Sequence, residues 1–186
     1  MPNTPLLETA RLFLRPLELA DADQIQLAFP QWEVVRYLTA RVPWPYPPDG
    51  ALAFLRDIAL PSMARGESWR WALRLKPEPA RIVGGIDLYI KEKEGDNRGF
   101  WISPEFRRQG LMTEAANAVT DFWFEVLRFP ALRTSKAADN IPSRRISEKQ
   151  GMRLVGTKER EYISGRLPAE IWEITAEEWR ARDHKG

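Results

Sequence analysis

A basic turn between an apolar strand segment and an apolar helix carries the clearest chemical signal in the sequence. Arg98 to Ser103 is expected to form the strand, and Pro104 ends it. The turn then reads Arg107-Arg108-Gln109-Gly110, and a helix follows directly. Backbone N–H groups in the first turn of a helix lack partners within the helix and attract phosphate. The turn is therefore predicted to bind an anion, and a solvated surface turn is the alternative.

The same turn resembles the acetyl-CoA-binding motif of the GNAT acetyltransferases, Q/R-x-x-G-x-G/A. It reads Arg107-Arg108-Gln109-Gly110-Leu111-Met112 here, so Met112 stands where the motif has a small residue. Residues 8–17, 113–115 and 140–152 resemble the branch of that family formed by ribosomal-protein alanine N-acetyltransferases. These signatures occur in the expected order, and the resemblance covers about residues 8–175, which is most of the chain.

The resemblance implies acetyl-CoA as a co-substrate and no metal. It implies that the strand backbone contacts the pantetheine arm and that amides of the turn hold the pyrophosphate. The residues concerned are Phe100, Trp101, Ile102, Arg107, Arg108, Gln109, Gly110, Leu111, Met112 and Thr113. Asn140 would bond the pantetheine arm or the thioester region, or else cap a helix. Ser143 would protonate or orient the departing sulfur, or else be a polar residue of a first helical turn.

Acetyl transfer to an amine needs a proton acceptor, because an amine with a pKa of about 8–10 is mostly protonated at neutral pH. By the same resemblance Glu161 is the candidate base, with an exposed carboxylate in a charged run as the other interpretation. Tyr162 is the alternative, as donor to the leaving thiolate or as a wall of the pocket. A backbone N–H of the strand before Pro104 suits the developing oxyanion. Glu114 is expected to be structural, since carboxylates favour the first turn of a helix.

A stiff loop rich in proline and aromatic residues spans residues 42–50. Each proline fixes its own φ and removes a hydrogen-bond donor, so regular structure is excluded there. Trp44 and Tyr46 are candidates for binding the acceptor, because a stiff aromatic loop can cover a substrate at little ordering cost. Packing against the core is the other interpretation of both side chains.

Composition excludes several kinds of chemistry. The chain has no Cys, and its only His is His184 near the end of the sequence. A thiol nucleophile, a cysteine zinc site and a histidine-based triad are therefore not expected. Because the acetyl group cannot rest on an enzyme thiol, direct transfer within a ternary complex is the simpler mechanism.

The partners follow from charge and hydropathy. Residues 1–5 lack the basic and apolar regions of a signal peptide, and no apolar run approaches the roughly 20 residues of a membrane span. A cytoplasmic protein without a membrane partner is therefore expected. The formal charge of +2 argues against nucleic acid, which would need a patch formed by Arg107, Arg108, Arg144 and Arg145. The sequence does not exclude a homodimer. The alternative function is a non-catalytic acyl-CoA sensor or scaffold, which Met112 and the unproven base favour.

These elements are predicted to build one GNAT-like domain over residues 1–186, with a core at about 8–175 and an exposed tail at 176–186. The pattern indicates the order β, two helices, three β, α, β, α, β, β. It is typical of an α/β (α+β) fold with a mixed, mostly antiparallel central sheet flanked by helices. Gly84-Gly85 is expected to mark a bulge or a close backbone approach, and Gly95-Asp96-Asn97 a turn.

Overall fold

A computed structural model describes residues 1–90 and 96–182 of the chain. The strands are β1 (Leu7–Glu8), β2 (Leu12–Pro16), β3 (Ser68–Leu75), β4 (Glu78–Tyr89), β5 (Arg98–Ile102), β6 (Ala131–Ala137), β7 (Arg153–Tyr162) and β8 (Gly165–Thr175). The α-helices are α1 (Ala22–Ala28), α2 (Trp32–Val35), α3 (Gly50–Phe54), α4 (Leu60–Ala64), α5 (Leu111–Asp121), α6 (Ile141–Lys149) and α7 (Ala176–Arg180). Single π-helical turns, Leu55–Ala59 and Phe122–Val126, join α3 to α4 and extend α5.

The strands form two antiparallel sheets, ordered β1-β2-β3-β4-β5 and β6-β8-β7. Helices flank them, so the predicted mixed α/β architecture is confirmed. The central strand β3 is buried along almost its whole length because both of its faces are covered. Trp69 and Trp71 face the main core with α5, whereas Ala72 faces the smaller cluster formed with α1 and α3.

The two glycines of β4 let β5 approach closely. A Cβ on Gly84 would lie 2.5 Å from the carbonyl oxygen of Trp101, and one on Gly85 would lie 2.6 Å from its indole nitrogen. Neither position has room for a side chain, so the predicted close backbone approach is confirmed. The consequence is that Trp101 is held against β4 on the face that α1 and α3 cover.

A gap separates β5 from β6, the strands at the facing edges of the two sheets. They join at their N-terminal ends, where the Asn97 N–H donates to the Arg133 carbonyl at 2.7 Å. The Arg133 N–H returns a bond to the Asn97 side chain at 2.9 Å. Beyond this point each strand pairs with its own sheet. The two sheets therefore splay apart, and the turn after β5 and the start of α6 follow the ends of the splayed strands.

The C-terminal region corrects one prediction. Residues 176–186 were expected to be an exposed tail, but Ala176–Arg180 is a helix with a capping box at Thr175 and Glu178. Trp179 is buried against the main core, and its indole N–H donates to Asp121 at 2.8 Å. Burial of one large aromatic ring is what holds this short helix in place. Gly95 and residues 183–186 lie outside the described residues.

No helix in the described ranges has the length and apolar character that crossing a bilayer requires.

Candidate functional site

The loop before α5, residues 107–113, is built to expose backbone amides and is called the phosphate loop below. Arg108 and Gly110 both have positive φ, at 61° and 78°, which turns the chain sharply before the helix. Glycine adopts this conformation without strain, and α5 begins at the next residue, Leu111. The first-turn amides of α5 therefore face outward from an exposed loop, an arrangement that suits a phosphate.

Arg11 and Glu114 hold the phosphate loop from the side of β2. The Arg11 guanidinium donates to the Gln109 carbonyl at 2.9 Å and to the Glu114 carboxylate at 2.7 Å. Thr9 also bonds Glu114. Burial acts to raise the pKa of Glu114, but the bonds from Thr9 and Arg11 outweigh it and lower that pKa. Glu114 thus braces the loop, as expected for a structural carboxylate.

The Arg107 side chain makes a contact that the sequence did not predict. Its guanidinium donates to the backbone carbonyl of Glu33 at 2.8 Å, which ties the phosphate loop to α2. Burial lowers the pKa of Arg107. Arg108 is exposed beside the amides, so Arg108 is the loop cation that is open to solvent. The Arg107 side chain is therefore directed to α2, and the contact of its backbone amide with the pyrophosphate stays a prediction.

Met112, the residue that departs from the motif, directs its side chain into the protein. Leu111 and Met112 are both buried in the main core. Only their backbone amides belong to the surface of the phosphate loop. The bulk of Met112 therefore fills the core rather than the space that an anion would occupy.

The strand residues before the loop also offer backbone rather than side chains. Phe100 and Ile102 pack against the main core, and Trp101 packs edge-on against Phe29 with ring centroids 5.4 Å apart. Their side chains are committed to the two faces of the sheet. The contact of the β5 main chain with the pantetheine arm stays a prediction.

Asn140 and Ser143 start α6 on the other side of the gap. The Asn140 side-chain oxygen accepts the Ser143 N–H at 3.4 Å, so the helix-cap interpretation of Asn140 is observed. A bond to the pantetheine arm would have to come from its NH₂ group and stays a prediction. Ser143 is largely buried, in the first turn of a helix that packs against α5.

Two adjoining cavities lie at the end of β7. The larger, about 440 Å³, is lined by Thr39, Ala40, Arg41, Glu159, Arg160 and Glu161. The smaller, about 220 Å³, is lined by Ala40, Val42, Pro43, Trp44, Tyr162 and Ile163. These lining residues, 39–44 and 159–163, are called the acceptor rim below. Ala40 is common to both cavities.

The acceptor rim is joined by backbone pairing. Thr39 forms an antiparallel bridge with Tyr162, and the Ile163 N–H donates to the Leu38 carbonyl at 3.0 Å. Successive strand residues point to opposite faces, so Glu161 is exposed in the larger cavity while Tyr162 is buried in the smaller one. Tyr162 also packs with Ala137, the last residue of β6. The rim therefore adjoins the gap between the sheets.

The two residues of the proline-rich loop that were predicted to bind the acceptor substrate lie in different environments. Trp44 is 42% exposed in the acceptor rim, and its ring lies 5.9 Å from that of Trp32. Tyr46 instead packs on Phe29 at 5.2 Å within the smaller core cluster. Burial raises the pKa of Tyr46 to about 12. The core interpretation is thus the one the structure shows for Tyr46, because its ring fills the space over Gly50.

Several residues of this region were not predicted. Trp32, Thr39, Arg41 and Glu159 join the site only because residues 32–44 fold back on β7. The one sequence signal was the proline-rich loop, which marked a stiff connection without indicating its partner. Within residues 1–90 and 96–182, no group of three or more acidic or histidine side chains is placed to hold a metal ion.

Comparison with known proteins agrees with this geometry. The acetyltransferase (GNAT) domain model matches residues 11–153. The uncharacterized N-acetyltransferase YoaA of Bacillus subtilis (strain 168) is 29% identical over 160 residues, covering 86% of this chain and 88% of YoaA.

Solved structures share the fold. The ribosomal-protein-S5-alanine acetyltransferase of Vibrio fischeri has a TM-score of 0.79 at 15% identity, over 94% of this chain and 98% of that one. RimL, a ribosomal L7/L12 alpha-N-protein acetyltransferase solved in complex with coenzyme A, has a TM-score of 0.74 at 15% identity with the same coverage. The chain belongs to the GNAT acetyltransferase family, since the family model covers most of its length.

Proposed function

We propose that this protein transfers an acetyl group from acetyl-CoA to a primary amine, either a protein N-terminus or a small-molecule amine, by direct transfer in a ternary complex. The observation that carries the proposal is the phosphate loop at the end of β5, beside the gap between the two sheets. Backbone amides at a helix start suit a pyrophosphate, and a gap between strand edges suits an extended pantetheine arm.

The residues present fit such a co-substrate. Gly110 has no side chain over the helix start, and the φ values of Arg108 and Gly110 turn the loop so that it leads into exposed amides. The main chain of Phe100 to Ile102 would bond the pantetheine arm, and Arg108 would add positive charge beside the pyrophosphate. RimL, which has the same fold, was solved with coenzyme A bound, and this supports coenzyme A as the ligand.

The acceptor amine would enter through the acceptor rim. Glu161 lies in the larger cavity and is exposed, so its carboxylate can reach a bound ammonium or a water beside it. In this role Glu161 takes the amine proton as the nitrogen attacks the thioester carbonyl. Trp44 walls the adjoining cavity, where its exposed ring would pack on the body of the acceptor.

The departing sulfur needs a proton or a fixed donor. Ser143, at the start of α6, and Tyr162, packed against the end of β6, are the two hydroxyl groups that we assign to this side of the reaction. A backbone N–H of β5 would stabilise the oxyanion while the C–N bond forms and the C–S bond breaks. Fixed dipoles of the protein, rather than water, then stabilise the negative charge that develops on the carbonyl oxygen and on the sulfur.

The structure weakens the two other functions considered. Met112, which favoured a non-catalytic sensor, is buried in the core and does not obstruct the phosphate loop. A nucleic-acid patch needs four free arginines, but Arg107 donates to Glu33 and Arg144 forms an ion pair with Glu170. The remaining two do not make a patch, so the transferase proposal is preferred to both.

A turnover screen tests the proposal. Purified protein is incubated with acetyl-CoA and, separately, a peptide with a free N-terminus, an amino acid, a polyamine and an amine-bearing antibiotic, and thiol release is recorded. The expected result is acceptor-dependent thiol release with at least one class. Tight binding of CoA in calorimetry without turnover on any of them would overturn the proposal and favour a sensor.

A further inference from the structure

A lysine is buried beside the gap, in the space between β6, β8 and α6. Lys136 is 5% exposed, and its ammonium donates to the Ser147 hydroxyl at 2.7 Å. The same nitrogen lies 5.6 Å from the centre of the Trp172 ring. Buried lysines are rare unless a carboxylate neutralises them, and here a hydroxyl and a ring face accept the charge.

A second buried cation lies across the gap on β5. Arg98 is 4% exposed and donates to the Thr120 hydroxyl at 3.0 Å. Its remaining near contact is the sulfur of Met152 at 3.9 Å, and burial lowers the pKa of Arg98 to about 10. The two strands that bound the gap thus each direct a cation into the protein interior, and hydroxyl groups accept both.

The carboxylates nearest to these cations are engaged elsewhere. Glu170, which lies directly opposite Lys136 in the sheet, pairs with Arg144 and accepts the indole N–H of Trp172 at 3.0 Å. Asp96 pairs with Arg160 and accepts the Ser135 hydroxyl at 2.8 Å. Neither carboxylate bonds Arg98 or Lys136, but the charge of Asp96 favours the ammonium form of Lys136. Arg98 and the protonated form of Lys136 are therefore available to an anion that arrives at the gap.

The position of Lys136 relates it to the reacting sulfur. Ser147 and Ser143 are four residues apart on α6, so they lie on the same face of the helix, about one 5.4 Å turn from each other. Both are buried. Lys136 bonds Ser147, the more deeply buried of these two serines. With the sulfur at Ser143, as the proposed function has it, the Lys136 ammonium is separated from the sulfur by about one turn of α6.

We propose that Lys136, together with Arg98, stabilises the thiolate of departing CoA through the buried face of α6. Lys136 is a positioning residue in this role, acting across space and through Ser147. In the reaction the C–N bond forms, the C–S bond breaks, sulfur leaves with the bonding electrons, and the amine proton passes to Glu161. The inference rests on the proposed function in taking the start of α6 as the place of the sulfur.

The surroundings of Lys136 let its protonation state respond to a bound ligand. Burial and, to a smaller extent, the charge of Arg98 lower the pKa of Lys136 to about 7, and the charge of Asp96 opposes both. Of the other charged groups on α6 and β8, Arg144 pairs with Glu170, and Glu173 pairs with Arg133 of β6. The remaining ones are exposed: Arg145, Glu148, Lys149 and Arg166. A thiolate arriving nearby favours the ammonium form, and the ammonium in turn favours the thiolate.

Titration of the CoA thiol in the binary complex tests this without any acceptor. The ultraviolet absorbance of the thiolate is followed against pH for CoA bound to wild type, Lys136→Met, Lys136→Arg and Lys149→Met. Lys149 is an exposed lysine of α6, the helix whose Ser147 bonds Lys136, and serves as the control. Lys136→Arg keeps its charge through the titration, so its bound thiol should have a pKa about one unit lower than in Lys136→Met, a tenfold change in the ionisation constant. Wild type and Lys149→Met should agree with each other and lie closer to Lys136→Met, because Lys136 loses its proton as the pH rises above about 7.

The outcomes separate this inference from the proposed function. Equal thiol pKa values in Lys136→Arg and Lys136→Met, with CoA bound to both, would overturn the inference alone. Failure of wild type to bind CoA at all would overturn both. If Lys136→Met does not fold, Lys136→Gln keeps a polar partner for Ser147 without the charge, and the same comparison is made with it.

Discussion

The phosphate loop and the acceptor rim are built in opposite ways. The phosphate loop is one continuous stretch whose amides are aimed by two positive φ angles and by the start of α5. The acceptor rim joins residues 39–44 to residues 159–163, which are far apart in the chain and meet by backbone pairing. A site made of local backbone tolerates side-chain change, whereas a site made of distant side chains depends on each of them. The comparison predicts where substitutions act.

The largest effect is expected at Glu161 in the acceptor rim. Glu161→Gln keeps shape and polarity but removes the base, so turnover at neutral pH should fall by roughly 10²–10⁴ while CoA affinity is unchanged. Raising the pH should partly restore turnover, because more of the amine arrives neutral. Initial rates against pH for the acceptor found in the screen provide the measurement.

Glu159→Gln is the matched control for Glu161, since both carboxylates line the same cavity two residues apart on β7. Near-normal turnover is expected there. If Glu161→Gln also keeps near-normal turnover, the proton leaves by another route. Loss of turnover in Tyr162→Phe would then move the assignment by one residue.

An intermediate effect is expected at Gly110 in the phosphate loop. Gly110→Val places a β-branched residue at φ 78°, so the loop must distort to accommodate it and CoA affinity should fall about 10–100-fold, the loss of one or two charge-assisted hydrogen bonds. The rise in melting temperature that CoA causes in wild type should disappear.

Gly151→Val separates this loss of binding from backbone strain. Gly151 has a similar φ of 70° but follows α6, away from the phosphate loop. It should lower the melting temperature of the free protein to a similar extent and keep the shift with CoA. A CoA shift that survives in Gly110→Val would show that the loop amides do not hold the pyrophosphate.

The smallest effects are expected at Arg107 and Arg108, which should differ in the substrate whose binding they affect. Arg108→Met removes an exposed charge, so CoA affinity should fall about two- to fivefold, and less at high salt. Arg107→Met breaks the bond to Glu33 that ties the loop to α2, so the KM for the acceptor should rise by about fivefold instead. Steady-state kinetics with each substrate varied in turn measure both. Equal effects of the two variants on CoA affinity would contradict the distinct role of Arg107.

Much of the fold could be predicted because it follows from local pattern. The alternation in β3 and the apolar stripe of α5 each reflect one period of the backbone, and the stops at Pro104 and Gly151 reflect φ preferences. The prediction of an exposed tail was wrong for another reason. Thr175 and Glu178 have the spacing of a capping box, which marks a helix start in the sequence. The burial of this helix depends on Trp179 docking on the core, which local pattern does not show.

The sequence by itself determined the family, the phosphate loop and the absence of cysteine chemistry, because each depends on residues adjacent in the chain or on composition. Tertiary structure alone decided that Arg107 reaches Glu33, 74 residues away, and that Trp44 meets Trp32 while Tyr46 enters the core. It also decided that Lys136 is buried against Ser147. Helix, strand and turn follow from local backbone energetics, whereas the partner of a long side chain depends on which distant segment packs over it.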